Sequence, residues 1–357
     1  MMKQTIVLTG GGTAGHVSVN EALIPVLHER GYAIHYIGSK TGIEKEIIAQ
    51  YPTVTYHAIS SGKLRRYFSM KNFSDPFRVL RGIGQARRLL KKLKPSVIFS
   101  KGGFVSVPVV LAAKQLKIPV VAHESDVTPG LANKIALPFS NKIFTVFEET
   151  VQHLPQEKTS WIGPIIRKEL FEGKAEKGYA LTGFNEHLPV FIVMGGSQGS
   201  VALNQTIREN LKTLTERYQI IHLCGKGNVD PELEGITNYC QYEFVTTELT
   251  DLLAISDYAI TRAGSNAIFE LAALHIPMIL IPLSAAQSRG DQVLNAKLFQ
   301  SLGFAEVIEE EQLPSVNWME ELSHFIERSS SIREQLKKSS SVKTASEVVD
   351  LIELETK

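Results

Sequence analysis

The sequence predicts an α/β protein with two Rossmann-like domains, each a doubly wound parallel sheet, that face each other across a cleft. Three observations support this fold class. The chain has 357 residues, which exceeds what one hydrophobic core usually supports. Short apolar runs rich in β-branched residues alternate with longer segments of helical periodicity, a pattern typical of a parallel sheet covered by helices on both faces. The alternation occurs in two successive series, which indicates two domains.

The first series contains six strand candidates. They are residues 5–9, 33–38, 55–59, 96–100, 119–123 and 142–147. The helices between them include residues 20–30, 76–93 and 107–116. Gly163-Pro164 is a turn signal that precedes no obvious strand, so we place the end of the first domain at residue 162.

The second series contains five strand candidates within a domain that we expect to cover residues 163–340. They are residues 189–196, 218–225, 239–245, 257–264 and 277–283. The polar segment from residue 320 onward predicts one or two helices. We expect its last part, residues 341–357, to pack back on the first domain.

Composition limits the partners. The net charge is +1, so no global field attracts the chain to nucleic acid or membrane, and we expect no nucleic-acid partner. Cys224 and Cys240 lack the close spacing of a zinc or redox pair, which predicts reduced structural thiols. No segment offers the roughly 18 apolar residues that a membrane span needs, and the N-terminal apolar run is too short for a secretory signal. We expect a cytosolic chain.

The stretch TGGGTAGH follows the first predicted strand and precedes a predicted helix. Gly10, Gly12 and Gly15 have the spacing of a phosphate-binding fingerprint, although a structural turn can show the same spacing. His16 is the unusual member, because a nucleotide loop needs no imidazole there. Imidazole titrates near neutrality, so His16 is a candidate base or substrate contact, the alternative being a helix residue without a chemical role.

The sequence also tests whether this loop binds a dinucleotide. An NAD enzyme of this fold places Asp or Glu at the end of its second strand to hold the ribose. Here that strand ends in Gly38-Ser39-Lys40, with no acid. NAD is therefore disfavoured, and Lys40 leaves NADP open.

Three further loops follow predicted strands of the second domain. MGGSQGS, residues 194–200, offers backbone amides and hydroxyls to a diphosphate without requiring a metal, and it lacks the Gly-Lys-Ser/Thr of an NTP-hydrolysing loop. RAGSNA, residues 262–267, predicts a helix start whose free amides suit an anion. Glu270 is a candidate ribose ligand or an exposed helix acid. Residues 284–296 are rich in amide side chains that suit sugar hydroxyls.

Six motifs occur in order between about residue 5 and about residue 300. They are residues 10–16 (GGGTAGH), 101–104 (KGGF), 123–124 (HE), 195–199 (GGSQG), 262–267 (RAGSNA) and Asp291-Gln292 with Asn295. Together they resemble the MurG family of peptidoglycan N-acetylglucosaminyltransferases, members of glycosyltransferase family 28 with the GT-B fold.

The resemblance implies an inverting transfer of GlcNAc from UDP-GlcNAc to the C4 hydroxyl of MurNAc in undecaprenyl-diphosphate-MurNAc-pentapeptide, the conversion of lipid I to lipid II in bacterial peptidoglycan synthesis. It implies peripheral attachment to the cytoplasmic face of the cell membrane, and it suggests other cell-wall synthesis or division proteins as partners. No Asp-x-Asp pair of metal-dependent glycosyltransferases occurs, so we expect no cofactor and no enzyme-held metal.

The resemblance also implies residue roles. The UDP-GlcNAc contacts would be Thr13, Ala14, Gly15, Arg167, Ser197, Gln198, Val245, Gly264, Ser265, Asn266, Glu270, Gln292 and Asn295. The residues facing the acceptor and its diphosphate would be Gly11, Gly12, Gly102 and Gly103. We favour His16 as the catalytic base, with Glu124 and Asp126 as rivals. The family often has Gln-Asn where this chain has Ser125-Asp126, and an aspartate can accept a hydrogen bond but cannot donate one.

A basic stretch interleaved with apolar residues lies between residues 63 and 94. Its candidate membrane contacts are Arg65, Arg66, Phe68, Phe77, Arg81 and Arg88. A solvated helix with one buried face would give a similar pattern. The implied acceptor is anchored in an anionic membrane surface, which attracts each nearby Lys or Arg by about 1 kcal/mol, so we favour peripheral attachment through this stretch.

Three alternatives stay open at this point. A UDP-sugar 2-epimerase would share the fold. An NADP-dependent oxidoreductase would rest on the first glycine loop and Lys40 alone. A non-catalytic membrane scaffold would leave the ligand-suited loops at the strand ends unexplained.

Overall fold

A computed structural model describes residues 4–62, 75–196, 198–284, 290–339 and 343–356. The chain divides into two compact units, Met1–Arg167 with Val342–Lys357 and Lys168–Ser341. The division falls slightly after the Gly163-Pro164 turn at which we place it from the sequence. Residues beyond that turn stay with the first unit because Ile165 packs in its core and pairs with Lys343.

The first unit contains a seven-stranded parallel sheet in the order β3-β2-β1-β4-β5-β6-β7. Its strands are β1 Thr5–Thr9, β2 Ala33–Ser39, β3 Val54–Ile59, β4 Val97–Ser100, β5 Val120–Glu124, β6 Lys142–Thr145 and β7 Thr159–Trp161. The six predicted strands are present, and β7 is an addition. Its three residues, TSW, are too short and too polar to give a periodic signal.

Helices cover both faces of this sheet. They are α1 Ser18–Glu29, α2 Ile43–Ile48, α3 Asp75–Leu93, α4 Ser106–Leu116, α5 Leu131–Ala136 and, from the end of the chain, α12 Ala345–Glu353. One face packs its apolar side chains against α1 and α12, and the other packs against α3 and α4. Consecutive strand residues point to opposite faces, so both faces can be apolar only where the strands are continuous hydrophobic runs, as in IVL of β1.

The C-terminal helix α12 belongs to the first unit although it follows the second unit in sequence. Its residues Val348, Val349 and Ile352 lie in the same core cluster as α1. Arg30, at the end of α1, forms ion pairs with Asp350 and Glu353 at 2.6 and 2.9 Å. The polar residues of α12 therefore lie on its outer face, while its apolar residues pack in the core.

The second unit contains a six-stranded parallel sheet in the order β10-β9-β8-β11-β12-β13. Its strands are β8 Val190–Met194, β9 Gln219–Leu223, β10 Tyr239–Tyr242, β11 Tyr258–Thr261, β12 Met278–Leu280 and β13 Ala305–Val307. Its helices are α6 Ala175–Thr182, α7 Val201–Leu214, α8 Leu249–Ala254, α9 Ser265–Ala273, α10 Asp291–Ser301 and α11 Trp318–Lys338. The strand β13 is another three-residue addition to the predicted set.

Each sheet has a switch point where the strand order reverses direction, between β1 and β4 in the first and between β8 and β11 in the second. Ligands of open α/β sheets bind outside the carboxyl ends of the strands at such points. The glycine-rich loops follow these four strands. Among the residues that the structure describes, no helix combines the length and the apolar character needed to span a membrane.

Candidate functional site

The first glycine loop follows β1 and ends in a single 3₁₀ turn, Ala14–His16. The backbone at the start of this loop is held by Tyr36, whose hydroxyl donates to the Gly10 carbonyl at 2.9 Å. Asn20 in turn donates to the Tyr36 hydroxyl at 3.2 Å. Gly12 has a φ of +93°, a conformation that favours glycine. The loop is therefore shaped by buried hydrogen bonds before any ligand binds.

Glu44 is a buried carboxylate beneath this loop. Its Oε2 accepts a hydrogen bond from the Gly12 amide at 3.1 Å, and its Oε1 accepts from the amide and hydroxyl of Ser39 at 2.9 and 2.5 Å. Burial alone would raise the pKa of Glu44, but these hydrogen bonds outweigh it and lower the pKa below the ordinary 4.5. The side chain is thus a buried anion at neutral pH.

This carboxylate bears on the dinucleotide alternative. The end of β2 and the glycine-loop amides are the places where such a fold holds a ribose and a pyrophosphate. Here Glu44 already accepts hydrogen bonds from Ser39 at the end of β2 and from the Gly12 amide of the glycine loop. A pyrophosphate bound at the loop could not use the Gly12 amide and would be repelled by the Glu44 carboxylate. Gly12, expected to face the acceptor diphosphate, therefore has its amide engaged in this structure.

His16 is half-buried, and its Nδ1 lies 2.9 Å from the Thr13 hydroxyl. The His16 amide also donates to the Thr13 carbonyl at 3.1 Å, which closes the 3₁₀ turn. Thr13 itself is exposed. The orientation of the imidazole is therefore set by a residue of the same loop.

The second loop of the first unit, KGGF, follows β4 and interlocks with the first. Gly103 has a φ of +80°, and a Cβ there would collide with the Gly11 carbonyl. Gly102, with a φ of +96°, lies against Asn133. Of the four glycines expected near the acceptor, Gly11, Gly102 and Gly103 are buried and Gly12 is exposed.

Lys101 precedes these glycines and is 2% exposed. Its ammonium donates to the Ser125 hydroxyl at 2.5 Å. Burial lowers the pKa of Lys101 from its ordinary 10.5, while the nearby carboxylates of Glu124 and Asp126 raise it. The motifs alone assign Lys101 no role, although a lysine before a Gly-Gly turn at a strand end is a signal that points to it.

Glu124 ends β5 and accepts four hydrogen bonds. Ser125 and Asp126 donate their amides to Oε1 at 2.9 and 3.0 Å. The Gly130 amide and the Asn133 side chain donate to Oε2 at 3.1 and 2.8 Å. Four bonds fill the acceptor positions of a carboxylate.

Glu124 therefore closes the loop between β5 and α5, and the base role considered for it would require breaking that closure. Burial raises the pKa of this carboxyl, as does the neighbouring Asp126, while the hydrogen bonds and Lys101 oppose the rise. The side chain of Asp126 is half-exposed. Of the two rival carboxylates, Asp126 is the one accessible to a ligand.

In the second unit, the glycine loop after β8 leads into α7. Gly199 has a φ of +76° and packs against the Cys224 carbonyl so closely that a Cβ would collide with it. Ser200 caps α7 by accepting from the Leu203 amide at 3.2 Å. Gln198 is exposed, and Ser197 lies outside the described residues.

Arg262 is the buried cation behind this loop. Its guanidinium donates to the Ser200 hydroxyl at 2.6 Å and to the Ile281 carbonyl at 3.1 Å, and it forms an ion pair with Glu310. It therefore connects the ends of β11 and β12 to the loop after β8. Glu310 compensates part of its charge, but the guanidinium is the member of the pair that reaches the loop, which favours an anion bound there.

His222 of the neighbouring strand β9 and Asn204 of α7 support the loop. The imidazole of His222 bonds the Tyr239 hydroxyl at 3.0 Å and Asn204 Oδ1 at 3.1 Å. Asn204 then donates to the Cys224 carbonyl at 2.9 Å, the same carbonyl against which Gly199 packs. Burial, with a smaller effect of Arg208, lowers the pKa of His222 to about 3.

The RAGSNA stretch forms the start of α9, as predicted. Gly264 is its N-terminal cap residue and uses no side chain for capping, so the first-turn amides lie beside a residue without a Cβ. Ser265 is buried, whereas Asn266 and Glu270 are half-buried. A helix N-terminus of this kind suits a phosphate.

The residues expected to read the sugar occupy α10. Gln292 accepts from the Leu283 amide at 2.9 Å through its Oε1. Asn295 is fully buried and donates to the Ala263 carbonyl at 3.1 Å. Its amide thus holds the RAGSNA turn in this structure. The sugar contact that the resemblance implies for Asn295 stays a prediction.

Two further expected donor contacts lie apart from these loops. Val245, three residues after β10, is 8% exposed. Arg167 is half-buried and is the last residue of the first unit before the division. Ala14 lies in the 3₁₀ turn, and Gly15 beside it is half-buried.

The basic stretch is described only from residue 75 onward, so Arg65, Arg66 and Phe68 lie outside the described residues. On α3, Phe77 is 74% and Leu80 is 65% exposed. Arg81 and Arg88 are also exposed, whereas Ala86 and Leu90 face the core. The helix thus has a buried face and an outer face that is both basic and apolar.

Solved structures of similar fold define the class of protein. The crystal structure of Acinetobacter baumannii MurG matches 99% of this chain and 99% of its own with a TM-score of 0.74 at 22% identity. The glycotransferase of kitacinnamycin matches all of both chains with a TM-score of 0.76 at 16% identity. Two parallel-sheet units of this kind are the GT-B fold of glycosyltransferases, which confirms the predicted fold class.

The family follows from the sequence. Residues 6–145 match the glycosyltransferase family 28 N-terminal domain, and residues 190–354 match the glycosyltransferase family 28 C-terminal domain. The chain belongs to glycosyltransferase family 28, as the six motifs indicated.

Curated relatives cover nearly the whole chain. A protein of Staphylococcus carnosus (strain TM300) is 54% identical over 97% of this chain and 96% of its own length. A protein of Staphylococcus aureus (strain MRSA252) is 58% identical over 89% of both. Both are named UDP-N-acetylglucosamine--N-acetylmuramyl-(pentapeptide) pyrophosphoryl-undecaprenol N-acetylglucosamine transferase. These relatives give no support to the epimerase, oxidoreductase or scaffold alternatives.

Proposed function

We propose that this chain transfers GlcNAc from UDP-GlcNAc to the C4 hydroxyl of MurNAc in a polyprenyl-diphosphate-linked MurNAc-pentapeptide, a step of peptidoglycan synthesis. The identity of 54–58% to relatives named for this reaction supports the choice of substrates. The observation that carries the proposal is the buried Arg262, which links a glycine loop to the start of α9 at the switch point of the second sheet. That arrangement suits a nucleoside diphosphate.

In this proposal the second unit binds the donor. The loop of Gln198 and Ser197 and the first turn of α9, with Gly264, Ser265 and Asn266, hold the diphosphate by backbone amides. Their charge stabilisation grows as UDP leaves, because the leaving diphosphate gains negative charge. Glu270 holds the ribose, Val245 meets the uracil edge, and Gln292 and Asn295 read the sugar. Arg167, the last residue of the first unit, is a further proposed donor contact.

The first unit binds the acceptor. We assign His16 as the base, in the tautomer in which Nδ1–H donates to the Thr13 hydroxyl and Nε2 carries no proton. Nε2 then takes the proton of the C4 hydroxyl while the oxygen forms a bond to the anomeric carbon. The bond from that carbon to the UDP oxygen breaks, the electron pair leaves with UDP, and the α-linked sugar becomes β-linked.

The acceptor diphosphate is best placed at the KGGF loop. Lys101 supplies a buried cation behind Gly102 and Gly103, whereas the Gly12 amide is bonded to Glu44. Thr13, Ala14 and Gly15 are further donor contacts that the resemblance implies. We propose no resident metal, since amides and buried cations supply the charge stabilisation and the sequence has no Asp-x-Asp pair.

We also propose peripheral attachment to the cytoplasmic face of the bacterial cell membrane through the outer face of α3. Phe77 and Leu80 are apolar and largely exposed, and Arg81 and Arg88 are exposed beside them. An amphipathic surface of this kind inserts its apolar side chains at the headgroup boundary and attracts anionic lipids.

The reaction is tested by incubating the full chain with UDP-GlcNAc labelled in the sugar and the polyprenyl-linked acceptor. We expect label in the lipid product and release of one UDP per sugar transferred, in a reaction that chelator does not stop. Conversion of UDP-GlcNAc to its 2-epimer without acceptor would instead establish the epimerase. Oxidation of NADPH without label transfer would establish the oxidoreductase.

A further inference from the structure

Glu44 is a buried carboxylate for which the proposed function has so far no use. It is 0% exposed, and its helix, α2, is only six residues long. Three glycines surround it, since a Cβ added at Gly11, Gly38 or Gly42 would come within 3.0 Å of its side chain. The surrounding backbone therefore leaves room for this carboxylate and for little else.

Burial of a carboxylate is costly unless hydrogen bonds compensate for the lost water. Glu44 meets that cost with donors from two different segments. Oε1 is fixed to the end of β2 by the amide and hydroxyl of Ser39, and Oε2 receives the amide of Gly12. The side chain is thus a bridge between a sheet strand and the first glycine loop.

The bridge reaches the loop one residue before Thr13. Gly12 has a φ of +93°, so the chain reverses sharply there before Thr13. Thr13 then contacts the His16 ring at 2.9 Å. Movement of the Gly12 amide would therefore move the residue that orients His16.

The same bridge reaches the KGGF loop. The Gly11 carbonyl lies against Gly103, and the amide of the next residue, Gly12, is the one that Glu44 holds. The two loops of the first unit therefore share one buried anchor at the end of β2.

We infer that Glu44 is a positioning residue for the acceptor side of the reaction, which holds Gly12 and thereby fixes Thr13 and His16 relative to the KGGF loop. This inference rests on the proposed function for its catalytic consequence. Glu44 touches neither substrate in this role. It acts through the loop, and its removal should affect the acceptor step more than donor binding by the second unit.

Glu44→Gln is the matched change, because it keeps the size of the side chain while one oxygen becomes an NH₂ group that cannot accept from Gly12 or Ser39. Glu46→Gln, on the exposed side of α2, is the control that removes the same charge from the same helix. Three quantities are measured on both variants: kcat/KM for the acceptor, Kd for UDP-GlcNAc, and amide hydrogen exchange of the peptide covering residues 10–16.

We expect Glu44→Gln to lower kcat/KM for the acceptor by about tenfold to a hundredfold, since small misplacement of a catalytic group has effects of that size. The Kd for UDP-GlcNAc should rise by a smaller factor than kcat/KM falls, because most of the proposed donor contacts lie in the second unit. Exchange in residues 10–16 should accelerate. Glu46→Gln should match the wild type in all three. In a His16→Ala background, adding Glu44→Gln should have little further effect on kcat, because both changes remove the same contribution.

Equal acceptor kinetics for the Glu44→Gln and Glu46→Gln variants would overturn the inference. So would an effect on kcat that adds in full to that of His16→Ala, or donor binding weakened as much as the acceptor step, either of which would indicate general loss of structure. Failure of the proposed function gives a different pattern, in which the wild type transfers no GlcNAc. The exchange measurement then still reports whether Glu44 holds the loop.

Discussion

The two units place opposite charges behind their first glycine loops. In the first unit the loop after β1 is backed by the carboxylate of Glu44, which takes the Gly12 amide. In the second unit the loop after β8 is backed by the guanidinium of Arg262, which donates to Ser200. Both loops follow a strand at the switch point of a parallel sheet. Topology alone therefore does not decide which ligand a glycine loop receives.

Charge makes the distinction. A buried cation lowers the free energy of a bound diphosphate, and a buried anion raises it. The loop after β8 in the second unit is consequently suited to the nucleoside diphosphate. The loop after β1 in the first unit is suited to a neutral hydroxyl and to the base that receives its proton. If this comparison holds, changes in the first unit should affect turnover with the acceptor, and changes in the second should affect donor affinity.

The largest effect is expected at His16. His16→Ala removes the proposed base, so kcat should fall by about 10²- to 10⁴-fold while the Kd for UDP-GlcNAc stays near the wild-type value. Steady-state kinetics with both substrates and calorimetry with the donor measure the two quantities. His28→Ala, at an exposed position of α1, is the control. A variant that keeps more than about a tenth of the wild-type kcat would remove His16 from the base role and leave Asp126 as the candidate.

The next effect is expected at Arg262. Arg262→Met leaves the Glu310 carboxylate buried without its ion-pair partner, which typically costs about 3–5 kcal/mol in unfolding free energy. The double variant Arg262→Met with Glu310→Met should regain most of that stability, because no uncompensated charge remains. It should still bind UDP-GlcNAc at least about tenfold more weakly. Urea unfolding and donor calorimetry separate the two results, and a double variant with wild-type donor affinity would break the comparison between the loops.

The sequence predicts the loops better than it predicts what supports them. Eleven strands are recognisable because apolar β-branched runs alternate with segments of helical periodicity, and the glycine loops are recognisable because they follow such runs. The strands β7 and β13 have three residues each, which are too few for periodicity. The role of Glu44 escapes prediction because the residue lies five positions beyond Ser39. Only the folding of α2 brings its side chain back to the end of β2. The burial of Asn295 and its bond to the Ala263 carbonyl also escape prediction, because spacing along α10 does not reveal which face is buried.

A smaller effect is expected from pH, and only on the support of the second loop. The folded pKa of His222 is about 3 against an ordinary 6.5, so the unfolded chain binds a proton in this interval that the folded chain does not. The stability that the folded chain gains by keeping His222 neutral is complete above pH 6.5. It declines as the pH falls toward 3, by at most about 1.4 kcal/mol of unfolding free energy per pH unit. Glu44 has a lowered pKa and stays ionised above pH 4.5.

The pH effect is measured as the difference in unfolding free energy between wild type and His222→Gln from pH 7 to pH 5, with His187→Gln as an exposed control. We expect the advantage of the wild type to shrink as the solution becomes more acidic. A difference that is constant over this range would mean that His222 is not held neutral by its contacts with Tyr239 and Asn204.

The last effect is expected at the outer face of α3. It concerns membrane binding and leaves both glycine loops unchanged. The double change Arg81→Gln with Arg88→Gln removes two exposed charges beside Phe77 and Leu80. Each is worth about 1 kcal/mol near an anionic surface, so partition into vesicles with anionic lipid should weaken by roughly thirtyfold at low salt. Lys212→Gln with Arg217→Gln removes the same charge from exposed positions of the second unit and should leave partition unchanged. Equal losses in the two variants would show that binding follows net charge, whereas a loss confined to α3 would place the membrane contact on the unit whose first loop is backed by Glu44.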